Sequence, residues 1–185
     1  AIAPDDPFLA ELRTLGARAV GMSVDVADRQ AVDAAAEAIR RDHGALHGVI
    51  HAAGVLRDRY LRDKTEEDLS AVFAPKVAGT VNLDLATRTF DLDLFVLFAA
   101  GAGAFGNPGQ ADYAAANAFL DAYAGVRNSA VADGQARGRT VALDWPLWEN
   151  GGMTMAAKTR AALGAANGSR ALSDAGGMAA LHRAL

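Results

Sequence analysis

The stretch from Leu94 to Tyr123, LFVLFAAGAGAFGNPGQADYAAANAFLDAY, sets the reading of the whole chain. It opens as a continuous apolar run, the pattern of a parallel strand whose sheet is covered by helices on both faces. Gly101 and Gly103 break the run, Asn107-Pro108-Gly109 signals a turn, and an Ala-rich helix follows that carries Tyr113 and Asn117. Residues four apart share a helix face, so Tyr113 and Asn117 are predicted to lie one turn apart, just past the strand's carboxyl end. Ligands of open α/β sheets collect at that edge.

Working outward, strand-like and helix-like segments alternate. Toward the amino terminus, Pro7 suits the first turn of a helix over 8–15, stopped by Gly16. Ala19 to Val26 is predicted as a strand, Asp28 as the cap of an amphipathic helix through Arg41, and Gly48 to Gly54 as a short buried strand. Thr65 with Asp68 makes a capping box for a helix that Pro75 interrupts and restarts, running on to Arg88. Beyond the Tyr113 helix, Arg139 to Trp145 is a further strand that Pro146 ends. Residues 148–170 are glycine-punctuated and carry Met153 and Met155, the expected composition of a lid with one short helix near 155–163, and Ser173 caps a last helix.

This alternation predicts an α/β fold with a doubly wound, Rossmann-like parallel sheet. Four strands are visible. No G-x-G-x-x-G turn follows an opening strand, so the sheet is expected to lack its first strands, and a family resemblance, carried by the residues quoted below, implies that it lacks its last strand too. Residues 1–185 are therefore expected to be one partial catalytic subdomain.

Composition narrows the function classes. Apolar residues make up 51% and charged residues 22% of the 185 residues, as in a globular α/β domain. A formal net charge of −4 carries no nucleic-acid footprint. The apolar stretch Leu94 to Phe105 is too short and too glycine-rich to span a bilayer, so no membrane partner is expected. The absence of cysteine removes disulfides and thiolate chemistry and agrees with a cytoplasmic location. His43, His47 and His51 recur at four-residue steps, but Gly44 and Gly48 separate them into different elements, so no metal site is expected.

The strand, the Gly-rich turn and the Tyr-Ala-Ala-Ala-Asn helix resemble the active-site segment of ketoreductase domains of modular polyketide synthases, members of the short-chain dehydrogenase/reductase superfamily. Within that family the likeness is to the trans-acyltransferase type, and nearly the whole chain takes part. It implies that Tyr113 donates the proton, that Lys76 on the preceding helix tunes it, and that Asn117 positions the lysine or a water. Lysine and asparagine exchange places in these ketoreductases relative to most of the superfamily, and Lys76 and Asn117 match the exchanged pattern. One position departs from the family. The serine expected thirteen residues before the tyrosine is replaced by Ala100, preceded by Ala99.

The resemblance further implies NADPH as cofactor and a β-ketoacyl thioester, held on the phosphopantetheine of an acyl carrier protein, as substrate. Asp25 and the Val26 backbone would meet the adenine, Ala52, Ala53 and Gly54 the ribose, and Pro146 and Leu147 the nicotinamide. Leu56-Arg57-Asp58 matches the Leu-x-Asp signature of B-type ketoreductases, and Phe105 stands where A-type domains carry tryptophan, so Asp58 implies an R-configured hydroxyl. Trp148 and Met153 would cover the acyl chain, and Arg57, Arg59 and Arg62 would face the carrier protein. The partners implied are that carrier protein, the remainder of the ketoreductase domain and neighbouring synthase domains.

Each residue also has a plainer reading. Tyr113 is an ordinary amphipathic packing residue, Lys76 a solvated charge, Asp58 a turn aspartate, Trp148 core cover, and the arginines a solvated face. A methyl group at position 100 cannot donate to a carbonyl, so an impaired reductase stands beside a non-catalytic scaffold within a megasynthase, and beside a relative acting on a free substrate.

Overall fold

The computed structural model of the chain describes residues 6–150 and 170–185. The proposed short helix at 155–163 and Met153 fall outside these residues, as does most of the proposed lid. Helix α1 (Pro7–Thr14) begins where Asp6 accepts a hydrogen bond from Phe8 N. Asp28 caps α2 (Arg29–His43) by accepting from the amides of Gln30 and Ala31, and Gly44, at φ 79°, ends it in the left-handed conformation that glycine adopts without strain. Strand β1 (Gly48–His51) follows. Thr65 and Asp68 form the expected capping box at the start of α3 (Glu66–Phe73).

Pro75 does not simply restart the helix. A proline has no N–H to continue an α-helical ladder, and the chain passes through one π-helical turn, Ala74–Ala78, before α4 (Gly79–Thr87). Strand β2 (Leu94–Ala100) leads through the single-turn α5 (Ala102–Phe105) to α6 (Ala111–Ala132), then to β3 (Arg139–Trp145). The carboxyl-terminal helix α7 (Asp174–Ala184) is capped by Ser173.

The described residues form one three-stranded parallel sheet in the order β1-β2-β3, with Gly48 opposite Leu94 and Leu94 opposite Arg139. This is a Rossmann-like α/β arrangement. Phe95, Leu97 and Ala99 alternate onto one face, where Ala36 of α2 and Leu120 and Ala124 of α6 complete a core joined by Leu83 and Ala86 of α4. On the opposite face Phe98 meets Trp145 edge-to-face, with ring centroids 5.4 Å apart.

One expectation fails. Ala19 to Val26 is not a strand: it has extended-type sequence, yet no described residue pairs with it, and Val20 and Met22 are exposed. A strand exists only through the ladder of a neighbour, which periodicity cannot supply.

A charged network sits beside this apolar core, with Arg127 over the Phe95 ring. Arg127 is buried, with Nε 2.8 Å from Asp84 Oδ1 and with Nη1 donating to Gly138 O and Thr140 Oγ1 at 2.7 and 2.8 Å. Tyr123 Oη donates to Asp84 Oδ2 at 2.8 Å, and Arg88 pairs with the same oxygen. A buried pair of this kind is tolerated when every remaining donor and acceptor is satisfied, and here it ties α4, α6 and β3 into one frame.

Candidate active site

Three elements converge at the carboxyl end of β2. The first is the π-helical turn. Its irregular pitch turns the Lys76 side chain inward, where it is 3% exposed and Nζ donates to Phe98 O of β2 at 2.9 Å. The turn is held from the other side by His51 at the end of β1, whose Nε2 lies 3.0 Å from Pro75 O. Burial lowers Lys76 to about 8. Burial also drives His51 down to about 4, assisted by the charge of Lys76 and opposed by the hydrogen bond to Pro75. A neutral imidazole that donates Nε2–H to the carbonyl satisfies both facts.

That displacement has a consequence for stability. His51 takes up protons near 6.5 when unfolded but only near 4 when folded, so the unfolded chain binds more protons in between and stability falls as pH drops through that window. The expected loss is up to about 3 kcal/mol between pH 6.5 and pH 4, at about 1.4 kcal/mol per unit. Urea unfolding across this range checks it. A His51→Gln variant, which keeps a donor for Pro75 O, should lose that part of the pH dependence.

The second element is α6. Tyr113 and Asn117 lie one turn apart on its buried face, at 8% and 0% exposure. The Lys76 ammonium sits 5.5 Å from the centroid of the Tyr113 ring. Asn117 Nδ2 donates to Tyr113 O at 2.7 Å, while Asn117 Oδ1 is buried with no hydrogen-bond donor. Burial raises the Tyr113 phenol, its hydrogen bond with Asn117 opposes this, and the charge of Asp58 adds to it. At neutral pH the side chain is therefore a phenol with a proton to give. Gly103 allows the close approach that fixes this face, since a Cβ there would lie 2.9 Å from Ala118 N.

The third element is the strand end itself. Ala100 and Ala102 pack against the cluster of Tyr113, Val72 and Ala116, and position 100 contributes a methyl group there. Asp58 is also present: its Oδ2 accepts from Gln110 Nε2 at 2.9 Å, and Gln110 in turn accepts from Asn107 Nδ2 at 2.8 Å. Phe105 is 91% exposed. Trp148 stacks edge-on to Trp145 at 5.0 Å and lies against Gly177 of α7, and its backbone bridges to Leu172.

The residues expected at the cofactor are spread along the same edge. Ala52 and Pro146 are exposed, and Ala53, Gly54 and Leu147 are half-buried. Asp25 Oδ1 accepts from Ala27 N at 2.9 Å, and Asn82 Nδ2 donates to the carbonyls of both Val26 and Ala27 at 3.0 Å. Asn82 thus holds the turn that presents Asp25 and Val26. It was not singled out in the sequence, because a half-buried helical amide has no distinguishing local pattern. The small residues Ala52, Ala53 and Gly54 just past β1 fit the close backbone approach of a dinucleotide. Among the described residues no group of three His, Cys, Asp or Glu side chains gathers to hold a metal, and no helix is long and apolar enough to cross a membrane.

A parallel sheet with a tyrosine, a lysine and an asparagine gathered at its carboxyl edge is the arrangement of a short-chain dehydrogenase/reductase fold. The chain belongs to the KR domain family, whose profile matches residues 3–150, and it is similar to the ketoreductase domains of polyketide synthases. Polyketide synthase PksL of Bacillus subtilis (strain 168) is 42% identical over 174 residues, covering 94% of this chain and 4% of PksL. Polyketide synthase ThaG of Burkholderia thailandensis is 50% identical over 162 residues, covering 88% of this chain and 3% of ThaG. The crystal structure of a ketoreductase domain from the bacillaene assembly line superposes with a TM-score of 0.95 at 38% identity, covering 100% of this chain and 44% of that one. The chain therefore spans only a few per cent of these multidomain synthases and less than half of that ketoreductase structure.

Proposed function

We propose that the chain is part of a ketoreductase that converts a β-ketoacyl thioester, presented by an acyl carrier protein, to the (R)-β-hydroxyacyl thioester, at a rate held down by Ala100. The observation that carries this reading is the convergence of Lys76, Asn117 and Ala100 on Tyr113 at one sheet edge. NADPH, when bound, supplies the hydride to the carbonyl carbon. Tyr113 gives its phenolic proton to the carbonyl oxygen as that oxygen gains charge. Lys76, held by Phe98 O, lends positive potential to the phenol and favours loss of its proton. Asn117, with an acceptor left open, anchors a water or the lysine on the return path of that proton. Asp58, fixed by Gln110, stands on the substrate side and sets which face of the ketone is presented.

Lys76 makes the reaction sensitive to pH. With the ammonium near 8, the charged form is complete below that value and falls about tenfold per unit above it, so the reduction rate should decline as pH rises through about 8. A Lys76→Met variant should be slow at every pH and lack this decline. A wild-type profile flat from pH 6 to 10 contradicts the role given to Lys76.

Ala100 favours a second reading, a scaffold that keeps the fold and its contacts with neighbouring synthase domains but does not turn over. The two separate on the full-length protein incubated with NADPH and the N-acetylcysteamine thioester of 3-oxobutanoate. Formation of the 3-hydroxy thioester by the parent or by its Ala100→Ser variant supports the reductase. Binding of NADPH, seen as a calorimetric or fluorescence change, without product from either protein supports the scaffold.

A further inference from the structure

Lys64 lies immediately before the capping box of α3, on a polar segment where a solvated lysine is the ordinary expectation. Its side chain is instead 1% exposed, and so is that of Asp112, the residue before Tyr113. Lys64 Nζ stands 2.8 Å from Asp112 Oδ2 and donates to Arg57 O at 2.6 Å. Asp112 Oδ2 has no hydrogen-bond donor among the described residues and meets Lys64 as an ion pair, while Oδ1 accepts from Tyr113 N at 2.9 Å. One buried ammonium thus joins the carbonyl that precedes Asp58 to the carboxylate that precedes Tyr113.

Stability does not account for such a pair. Removing two charges from water costs several kcal/mol per ion, and a well-packed apolar pair commonly does as well or better. What a buried ion pair adds is direction, because only one arrangement of the two segments satisfies both charges. Two further contacts run between the same two segments, Arg59 N donating to Gly109 O at 2.9 Å and Gln110 Nε2 to Asp58 Oδ2 at 2.9 Å, while Arg59 pairs with Asp68 of α3 at 3.5 Å. Those contacts sit on more exposed side chains or on backbone, and Lys64–Asp112 is the fully desolvated member.

We infer that Lys64 and Asp112 are positioning residues that set the register of the Asp58 loop against the first turn of the Tyr113 helix, and thereby the facial selectivity and binding of the ketone. This rests on the reductase reading above. Neither residue touches the reacting atoms. They act by fixing the distance and angle between the group that orients the substrate and the group that protonates it. A misplacement of about 1 Å transmitted from outside the site can cost as much as about a hundredfold.

The test uses the full-length protein carrying Ala100→Ser, NADPH and the N-acetylcysteamine thioester of 3-oxobutanoate, with the two 3-hydroxybutanoyl epimers separated by chiral chromatography. The paired replacement Lys64→Met with Asp112→Leu removes both charges and leaves apolar side chains of similar bulk. Its melting temperature is expected to stay close to the parent's, while KM rises and the epimer ratio falls, each by about tenfold or more, with a smaller change in kcat. Lys64→Arg, which keeps the charge and the donor for Arg57 O, should restore most of the selectivity. A paired variant that folds with the parent's epimer ratio and KM overturns the proposal. If the pair does not fold, Lys64→Gln alone decides: a relaxed epimer ratio supports the proposal and an unchanged one overturns it. Absence of product from the Ala100→Ser parent overturns the reductase reading and this inference together, whereas turnover with unaltered selectivity removes this inference only.

Discussion

Replacing Ala100 with serine is expected to raise the rate of NADPH-dependent reduction by about 10² to 10³, the usual effect of one hydrogen-bond donor aimed at a developing oxyanion. Ala100 packs against the Tyr113 cluster at the end of β2, so a serine there would place its hydroxyl at that cluster. The backbone needs no rearrangement, because Ala100 is held in register opposite Trp145 and serine differs from alanine by one oxygen. The rise should appear in kcat more than in KM, since the donor acts on charge present only in the transition state. Steady-state NADPH oxidation with product identification measures it. A gain below about threefold would mean that position 100 does not meet the carbonyl, and would strengthen the scaffold reading.

Tyr113→Phe in the Ala100→Ser background should remove about 10² to 10⁴ of that activity, the range for a general acid, and leave NADPH binding little changed. The ring would still fill its place in the apolar cluster with Val72 and Ala116, so melting temperature should barely move. Loss of the phenolic oxygen removes its hydrogen bond with the Asn117 side chain, while Asn117 Nδ2 keeps its bond to the main-chain carbonyl of residue 113. Residual activity within about tenfold of the Ala100→Ser parent would show that the proton comes from elsewhere, water or Lys76 being the available donors. The pair of variants also distinguishes chemistry from architecture: a scaffold role predicts that neither substitution matters.

Short-range patterns were accurate where a single element decides them. Strand β3 runs over the predicted residues, Arg139 to Trp145, because Pro146 ends it whatever surrounds it. The capping residues Asp28, Thr65 with Asp68, and Ser173 act as their sequence neighbourhoods imply. Ala19 to Val26 failed for the opposite reason, since its alternation is real but pairing depends on a partner that no described residue provides. Nothing beside Lys64 in the chain marks it for burial. Its partner lies 48 positions further on, in another element.

Left to itself, the order of residues along this chain determined the α/β alternation, the length of the central strand and the placing of Tyr113 and Asn117 one turn apart, because these follow from dihedral preference and periodicity within a few residues. Tertiary structure decided whether Lys76 is a surface charge or a buried ammonium beside Tyr113. That outcome needed a π-helical turn at Pro75, a carbonyl on Phe98 and an imidazole on His51, drawn from three separate elements. It also decided that Lys64 and Asp112 pair. The physical reason is that desolvation and ion pairing depend on what surrounds a side chain in space, and a buried charge is set by groups that share no local pattern with it.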